Sequence, residues 1–269
     1  MPKDRQLTVY DFGMNNGDDV EYYLKKGHRV VGVEANNALC KLCEARFRGE
    51  IASGDVVILN VALARESSDD LMPFYIHKTN HVLSQVTPPS QAALAEFDVV
   101  QVRQRLASDI IRQFGEPYYV KIDIEHFDQV VLADLFDNNI RPAYISAESH
   151  SVEIFAQMVV AGYRAFNLVD GITVPDLYGS TKINTTTGVQ EYSFQSHSAG
   201  PFGDDISSPW LDQDSFLYYL AKVGLGWKDI HATLLDVRTS SHRQPQLSLR
   251  QHLADFVPSF LRAVSARMR

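Results

Sequence analysis

The sequence predicts an α/β protein: a doubly wound, mostly parallel sheet of about seven strands with long insertions and a C-terminal helical appendage. Three observations lead there. Short apolar runs alternate with amphipathic helical stretches, completing strand–helix–strand–helix–strand within about 55 residues, the first half of such a sheet. A turn at residues 13–17, Gly-Met-Asn-Asn-Gly, separates the first run from the first helix, and the second run ends in a carboxylate, Glu34. The alternation resumes after residue 117.

Residues 8–12 form the first strand and 18–27 the first helix. Asp18 is placed to N-cap that helix with Glu21 closing a capping box, Val20, Tyr23 and Leu24 make its apolar face, and Gly27 ends it. A strand at 29–34 and a helix at 37–48 follow. Leu39, Cys43 and Phe47 recur at i+4 on that helix, so Cys40 and Cys43 read as helix residues; no second Cys pair exists to complete a zinc site. The third strand is 56–61. Next come an outer strand at 73–77, a loop at 78–89 and a helix at 106–114 stopped by Gly115. Strands at 118–124, 143–148 and 163–169 then alternate with helices at 127–136 and 151–161, and a polar stretch precedes a final strand at 191–195. The expected organisation is one domain over 1–235, with insertions at 64–117 and 170–215, and a helical tail over 236–269. Loops of such length are usually lids or binding loops, so 171–210, with 198–205 at its centre, is expected to close over a site. The apolar face of 247–268, interrupted by Pro258, is expected to dock on the body or on a second subunit, making a homo-oligomer.

The chain has 269 residues, 45% of them hydrophobic, and a net charge of −8. It is long enough to bury a full core without disulfides. No apolar run reaches the roughly 18–20 residues of a membrane span, and no basic, apolar leader precedes the first strand, so a soluble cytoplasmic protein without membrane partners is expected. The negative charge argues against nucleic acid as a partner.

Ligands of such sheets bind beyond the carboxyl ends of the strands, where strand order reverses. Gly13 and Gly17 let the first turn bend sharply and its backbone approach a ligand, and Glu34 stands where a carboxylate can accept both hydroxyls of a ribose. The turn is not the Gly-x-Gly-x-x-Gly of a dinucleotide site, and Asp18 and Asp19 at the helix start repel a diphosphate. They suit a positively charged nucleoside cofactor without phosphate, namely S-adenosylmethionine. A NAD(P)-dependent oxidoreductase and a non-catalytic nucleoside-binding module are the alternatives. Tyr-x-x-x-Lys occurs twice, at Tyr22 with Lys26 and Tyr218 with Lys222, without a glycine fingerprint to support the first alternative.

Residues 9–18 (Val-Tyr-Asp-Phe-Gly-Met-Asn-Asn-Gly-Asp), 33–36 (Val-Glu-Ala-Asn), 60–63 (Asn-Val-Ala-Leu), 120–125 (Val-Lys-Ile-Asp-Ile-Glu) and 148–150 (Glu-Ser-His) occur in the order seen in FkbM-family methyltransferases. The resemblance covers about residues 7–170, and 197–205 and 227–232 look like features of one branch. It implies a Rossmann-like class I fold, S-adenosylmethionine as cofactor and O-methyl ethers as usual products. It further implies that Asp11, Gly13 and Gly17 shape the methionine pocket, that Glu34 holds the ribose, and that the turn at 60–62 meets the adenine. The candidate cofactor residues are therefore Asp11, Gly13, Asn15, Asn16, Gly17, Glu34, Ala35, Asn60 and Ala62. One departure stands out: where the family usually has Glu-Gly-x-Glu, this chain has Glu125-His126-Phe127-Asp128.

Tyr119, Lys121, Asp123 and Glu125 alternate with apolar residues and so share one strand face. Ionisable groups on a central strand are costly unless they pair or perform chemistry. The next strand ends in Glu148-Ser149-His150 at the same edge. Asp123, Glu125, Glu148 and His150 are thus the candidate catalytic residues, converging to take the proton of an alcohol during methyl transfer. The expected substrate is a small polyhydroxylated or sugar-containing acceptor. A Lys121–Asp123 ion pair with capping carboxylates is the structural alternative. A divalent metal, Mg²⁺ or Mn²⁺, is not favoured, because the spacing is not a metal signature.

Overall fold

In the computed structural model, which describes residues 6–240, the chain opens as expected. The elements in order are β1 (Thr8–Phe12), α1 (Asp18–Lys25), β2 (Arg29–Glu34), α2 (Asn37–Arg46), α3 (Arg48–Ser53) and β3 (Val56–Asn60). The first insertion holds β4 (Ala62–Leu63), β5 (Leu71–His77), β6 (Phe97–Arg105) and α4 (Ala107–Phe114). The alternation returns with β7 (Pro117–Ile122), α5 (Asp128–Asp137), β8 (Tyr144–Glu148), α6 (Val152–Val160) and β9 (Ala165–Asp170). Beyond it lie α7 (Val174–Tyr178), β10 (Thr181–Thr185), β11 (Gly188–Tyr192), β12 (Leu211–Asp212), α8 (Gln213–Val223) and β13 (Lys228–Thr233).

The main sheet has eight strands, not seven, in the order β12-β9-β13-β8-β7-β1-β2-β3. The five from β8 to β3 are parallel; β13 runs antiparallel between β8 and β9, and the two-residue β12 pairs antiparallel with β9. Strand order reverses between β1 and β7, so the crevice where ligands bind opens at their carboxyl ends. The final strand expected at 191–195 does not join this sheet. Residues up to Tyr192 pair with β10 in a separate hairpin, because β11 is exposed along most of its length and offers no apolar face. The last place in the sheet goes to β13, whose buried Asp229 and His231 disguise it as polar sequence.

Three local expectations change. The first helix is N-capped by Gly17, at φ 79°, and not by Asp18; Asn16 Oδ1 accepts the Asp18 N–H (3.1 Å) instead. Asp18 and Glu21 both accept from Arg46, at 2.7 and 2.9 Å, a full positive charge outcompeting the capping-box N–H. The outer strand at 73–77 proves to be half of a long antiparallel pairing with β6, joined by β4 into a three-stranded sheet. Finally, residues 198–205 are buried except for Asp204, with Ser198, Phe202 and Asp205 among the buried ones. Ser198 donates to Asp19, Tyr22 and Lys26 donate to Asp205, and the Phe202 ring stacks on Tyr119 with centroids 4.1 Å apart. This segment is a strap fastened to α1 by buried polar contacts, not a lid held open. The expected helix at 247–268 lies outside the described residues. Among those described, no helix is long and apolar enough to cross a membrane.

Candidate functional site

A cavity of about 500 Å³ lies at the carboxyl ends of β1, β2, β7 and β8. Its roof comes from the first insertion, Phe74 and residues 80–86, and His197, Gly226 and Trp227 close one side.

The turn after β1 is built around glycine. Gly13 has φ +87°, and a Cβ there would sit 1.9 Å from the Asp123 carbonyl oxygen, so only glycine fits. The Gly13 and Met14 N–H groups both donate to the Val33 carbonyl, at 3.0 and 3.1 Å, tying the turn to the end of β2. There Glu34 accepts the Asn15 N–H (3.0 Å) on one oxygen and the Asn36 N–H (2.7 Å) on the other. Burial pushes its carboxyl up to about 7, against the pull of those two donors. The side chain is thereby held by the fold with one edge on the cavity.

The expected cofactor residues divide. Gly13, Asn15, Asn16, Glu34, Ala35 and Ala62 line the cavity. Asp11, Gly17 and Asn60 do not. Asp11 is sealed beneath it with 0% exposure, 3.3 Å from the Lys121 ammonium. Gly17 faces Phe47 and Cys43. Asn60 pairs with Glu34 across the sheet and turns its amide back to donate to the Glu34 and Ala35 carbonyls, both at 3.0 Å. It braces the carboxylate's backbone, and the apolar slot beside it is made by Val61, Ala62 and Leu63.

Under the opposite end, Lys121 places its ammonium 3.3 Å from each of Asp11, Asp19 and Asp123. Burial alone would lower its pKa, but Asp11, Asp123, Asp19 and Asp229 outweigh it and hold the ammonium charged. Four carboxylates around one ammonium exceed what burial tolerates. Asp229 is raised well above the usual carboxylate range by burial and by the charges of Asp123 and Glu148.

The four expected catalytic residues all line the cavity. Asp123 is committed to Lys121. Glu148, opposite Asp229 across β8 and β13, lies 2.8 Å from His150 Nε2. That contact, more than burial opposes it, pushes His150 up to about 9. Burial, followed by the Glu148 charge, pushes Glu125 up to about 7. Glu125 also approaches His126 Nε2 at 3.2 Å, and the His126 and His150 rings lie 4.4 Å apart. The segments 197–205 and 227–232 stand out in the sequence by resemblance, but nothing there assigns Asp229 or the lining residues His197 and Trp227 to the site. Their polar or aromatic character carries no spacing signal, and β13 had not been recognised as a strand.

Six carboxylates line the cavity, Asp18, Asp19, Glu34, Asp123, Glu125 and Glu148, against the ammonium of Lys121 and the imidazolium of His150. Such a lining admits a cation and repels a diphosphate. A doubly wound sheet with a carboxylate at the second strand's end and this crevice defines a Rossmann-like protein. The Methyltransferase FkbM domain matches residues 11–168, and the chain belongs to that family of S-adenosylmethionine-dependent methyltransferases. No curated protein matches the chain. Among solved structures it is similar to a precorrin-6y C5,15-methyltransferase from Geobacter metallireducens, with 9% identity, TM-score 0.39, and 89% of this chain and 83% of that one covered. It is also similar to the METTL16 MTase domain (6%, TM-score 0.40, covering 88% and 63%) and to the StiE O-MT (10%, TM-score 0.35, covering 61% and 47%).

The residues present fit the cofactor that the family uses. Glu34 is a buried carboxylate whose protein donors are only two backbone N–H groups, leaving it able to accept ribose hydroxyls. The apolar slot at 61–63 suits a base, and the negative lining suits a sulfonium.

Proposed function

We propose that the protein is an O-methyltransferase acting on a hydroxyl of a small, polyhydroxylated or sugar-containing acceptor. The observation that carries this reading is the cluster of Asp123, Glu125, Glu148 and His150 on the cavity wall away from the apolar slot. When bound, S-adenosylmethionine supplies an electrophilic methyl group on a sulfonium.

Glu34 holds the ribose and fixes the cofactor's direction in the cavity. The carboxylates around Lys121 favour the positive charge at the reacting end. An aliphatic hydroxyl must lose its proton near the transition state, and a positioned base contributes roughly 10²- to 10⁴-fold. Asp123 is bound to Lys121 and Glu148 to His150, so Glu125, whose close partner is the exposed His126, is the carboxylate freest to accept that proton. The acidic wall also offers acceptors to the other hydroxyls of a polyol, aligning the reacting one. The roof at 80–86 and Trp227 exclude water from the reacting end.

Incubation with trideuteromethyl-labelled cofactor and a panel of glycosides and polyols, with mass spectrometry locating the label, tests the reading. Label in an ether oxygen supports it; label on carbon or nitrogen contradicts it.

A further inference from the structure

We propose that Glu125, His126 and His150 form a binding site for a first-row divalent transition ion, of the Mn²⁺, Co²⁺ and Zn²⁺ class, at the acceptor end of the cavity. The inference rests on the O-methyl reading and names what polarises the hydroxyl: Glu125 holds the ion through one carboxylate oxygen and takes the hydroxyl proton on the other.

Four independent features converge. The three side chains offer two imidazole nitrogens and one carboxylate oxygen, all within 4.8 Å of one another. Ligand atoms bonded to such an ion at about 2.0–2.2 Å stand roughly 3 to 3.5 Å apart, so the set needs to close by only about 1–2 Å. Two imidazoles with one carboxylate select first-row transition ions over Mg²⁺ or Ca²⁺, which prefer oxygen alone.

His126 is held where its backbone resists being. Its φ is +62°, in the left-handed region that glycine occupies freely and most side chains avoid, His, Asn and Asp entering it more readily than the rest. A glycine would be unstrained in that turn; the imidazole placed there instead has its ring 4.4 Å from that of His150.

His150 carries the outer contact typical of a metal ligand. Glu148 lies 2.8 Å from its Nε2, a carboxylate beside the imidazole of the kind that accompanies metal-bound histidines, and an ion bound there displaces the proton that this contact favours. Finally, the cavity lining has six carboxylates against the Lys121 ammonium and the His150 imidazolium, an excess of negative charge that a divalent ion offsets. Three protein ligands leave coordination positions open. A vicinal diol fits them, and a hydroxyl bound there is acidified far more than by hydrogen bonding to a carboxylate.

The test uses chelator-treated full-length protein titrated with Mn²⁺ and Co²⁺ by calorimetry and electron paramagnetic resonance. His126→Gly, which removes the imidazole and suits the local φ, and Glu125→Gln serve as variants, with S-adenosylhomocysteine binding as the fold and cofactor control. One ion per chain, imidazole nitrogen coupling on Mn²⁺, and affinity lowered at least roughly tenfold in both variants are expected, with cofactor binding within about twofold of wild type. No stoichiometric ion in wild type, or equal affinity in His126→Gly, overturns the metal site. That result leaves the O-methyl reading intact if S-adenosylhomocysteine still binds. Failure of wild type to bind S-adenosylhomocysteine overturns both.

Discussion

Replacing Glu34 by glutamine keeps the side chain's size and one carbonyl acceptor but removes its charge. In the folded protein both carboxylate oxygens are already engaged by the Asn15 and Asn36 N–H groups, so glutamine also turns an NH₂ group toward one of them. Hydrogen bonds to a charged partner contribute about 1.5–3 kcal/mol. Loss of that charge toward the ribose therefore weakens S-adenosylhomocysteine binding roughly tenfold to a hundredfold. The wild type adds a pH signature. Burial raises Glu34 to about 7, with Asp11 adding to the rise and Lys121 opposing it. Below that pH the proton must leave before the ribose hydroxyls can donate. Wild-type affinity falls roughly tenfold from pH 8 to pH 6, and the Glu34→Gln affinity stays flat across that range. Calorimetry at both pH values, with near-ultraviolet circular dichroism to confirm folding, reads both effects. A folded Glu34→Gln protein that binds within about twofold of wild type, with the wild-type pH slope, refutes the ribose assignment.

Other expected outcomes follow from the same geometry. Asp123→Asn and Glu148→Gln lower turnover at least roughly tenfold while cofactor affinity stays within a few-fold, because they hold the Lys121 ammonium and the His150 imidazole in place beside the reacting end, and such positioning affects rate more than binding; steady-state kinetics with calorimetry separates the two, and normal turnover makes either residue structural. Hydrogen exchange shows the strap at 198–205 protected with or without S-adenosylhomocysteine, since its buried contacts to α1 need no ligand, whereas the half-exposed roof at 80–86 gains protection on binding; ordering of the strap only with ligand contradicts this. His231 is 2% exposed, its Nε2 has no partner, and burial drives it down to about 3, below its unfolded value near 6.5. Its folded state favours the neutral ring, so the associated stability is complete above pH 6.5 and falls by about 1.4 kcal/mol per unit as pH drops toward 3. Urea denaturation at pH 7.5 and 5.5 should show His231→Phe losing about that much less than wild type over the interval; equal losses exclude this source of acid sensitivity.

Much of the sheet was legible because strand and helix signals were local. The apolar runs ending at Phe12 and Glu34, the glycine turn between strand and helix, and the Glu-Ser-His at the end of β8 are enough by themselves to place the crevice and a carboxylate on it. Other features depended on contacts distant in sequence. β13 was hidden because Asp229 and His231 look like surface residues until Lys121, Glu148 and Tyr119 surround them. Asn60 stands at the carboxyl end of a strand, where a ligand contact is the natural expectation, yet its amide satisfies two backbone carbonyls of the neighbouring strand. Asp18 and Glu21 have capping-box spacing, but Arg46, 25 residues beyond Glu21, claims both carboxylates. The strap at 198–205 has the glycines of a hinge, while its Ser198 and Asp205 are anchors whose partners Asp19, Tyr22 and Lys26 lie about 180 residues earlier.

A crystal structure with S-adenosylhomocysteine tests most directly whether this crevice holds the cofactor and turns its reacting end toward the acidic cluster. The ribose hydroxyls are predicted to donate to the Glu34 carboxylate, the base to lie against Val61, Ala62 and Leu63, and the sulfur to face the side formed by Asp123, Glu125, Glu148 and His150. A nucleoside bound with its hydroxyls away from Glu34, or with its sulfur directed toward the apolar slot, contradicts the assignment of the site.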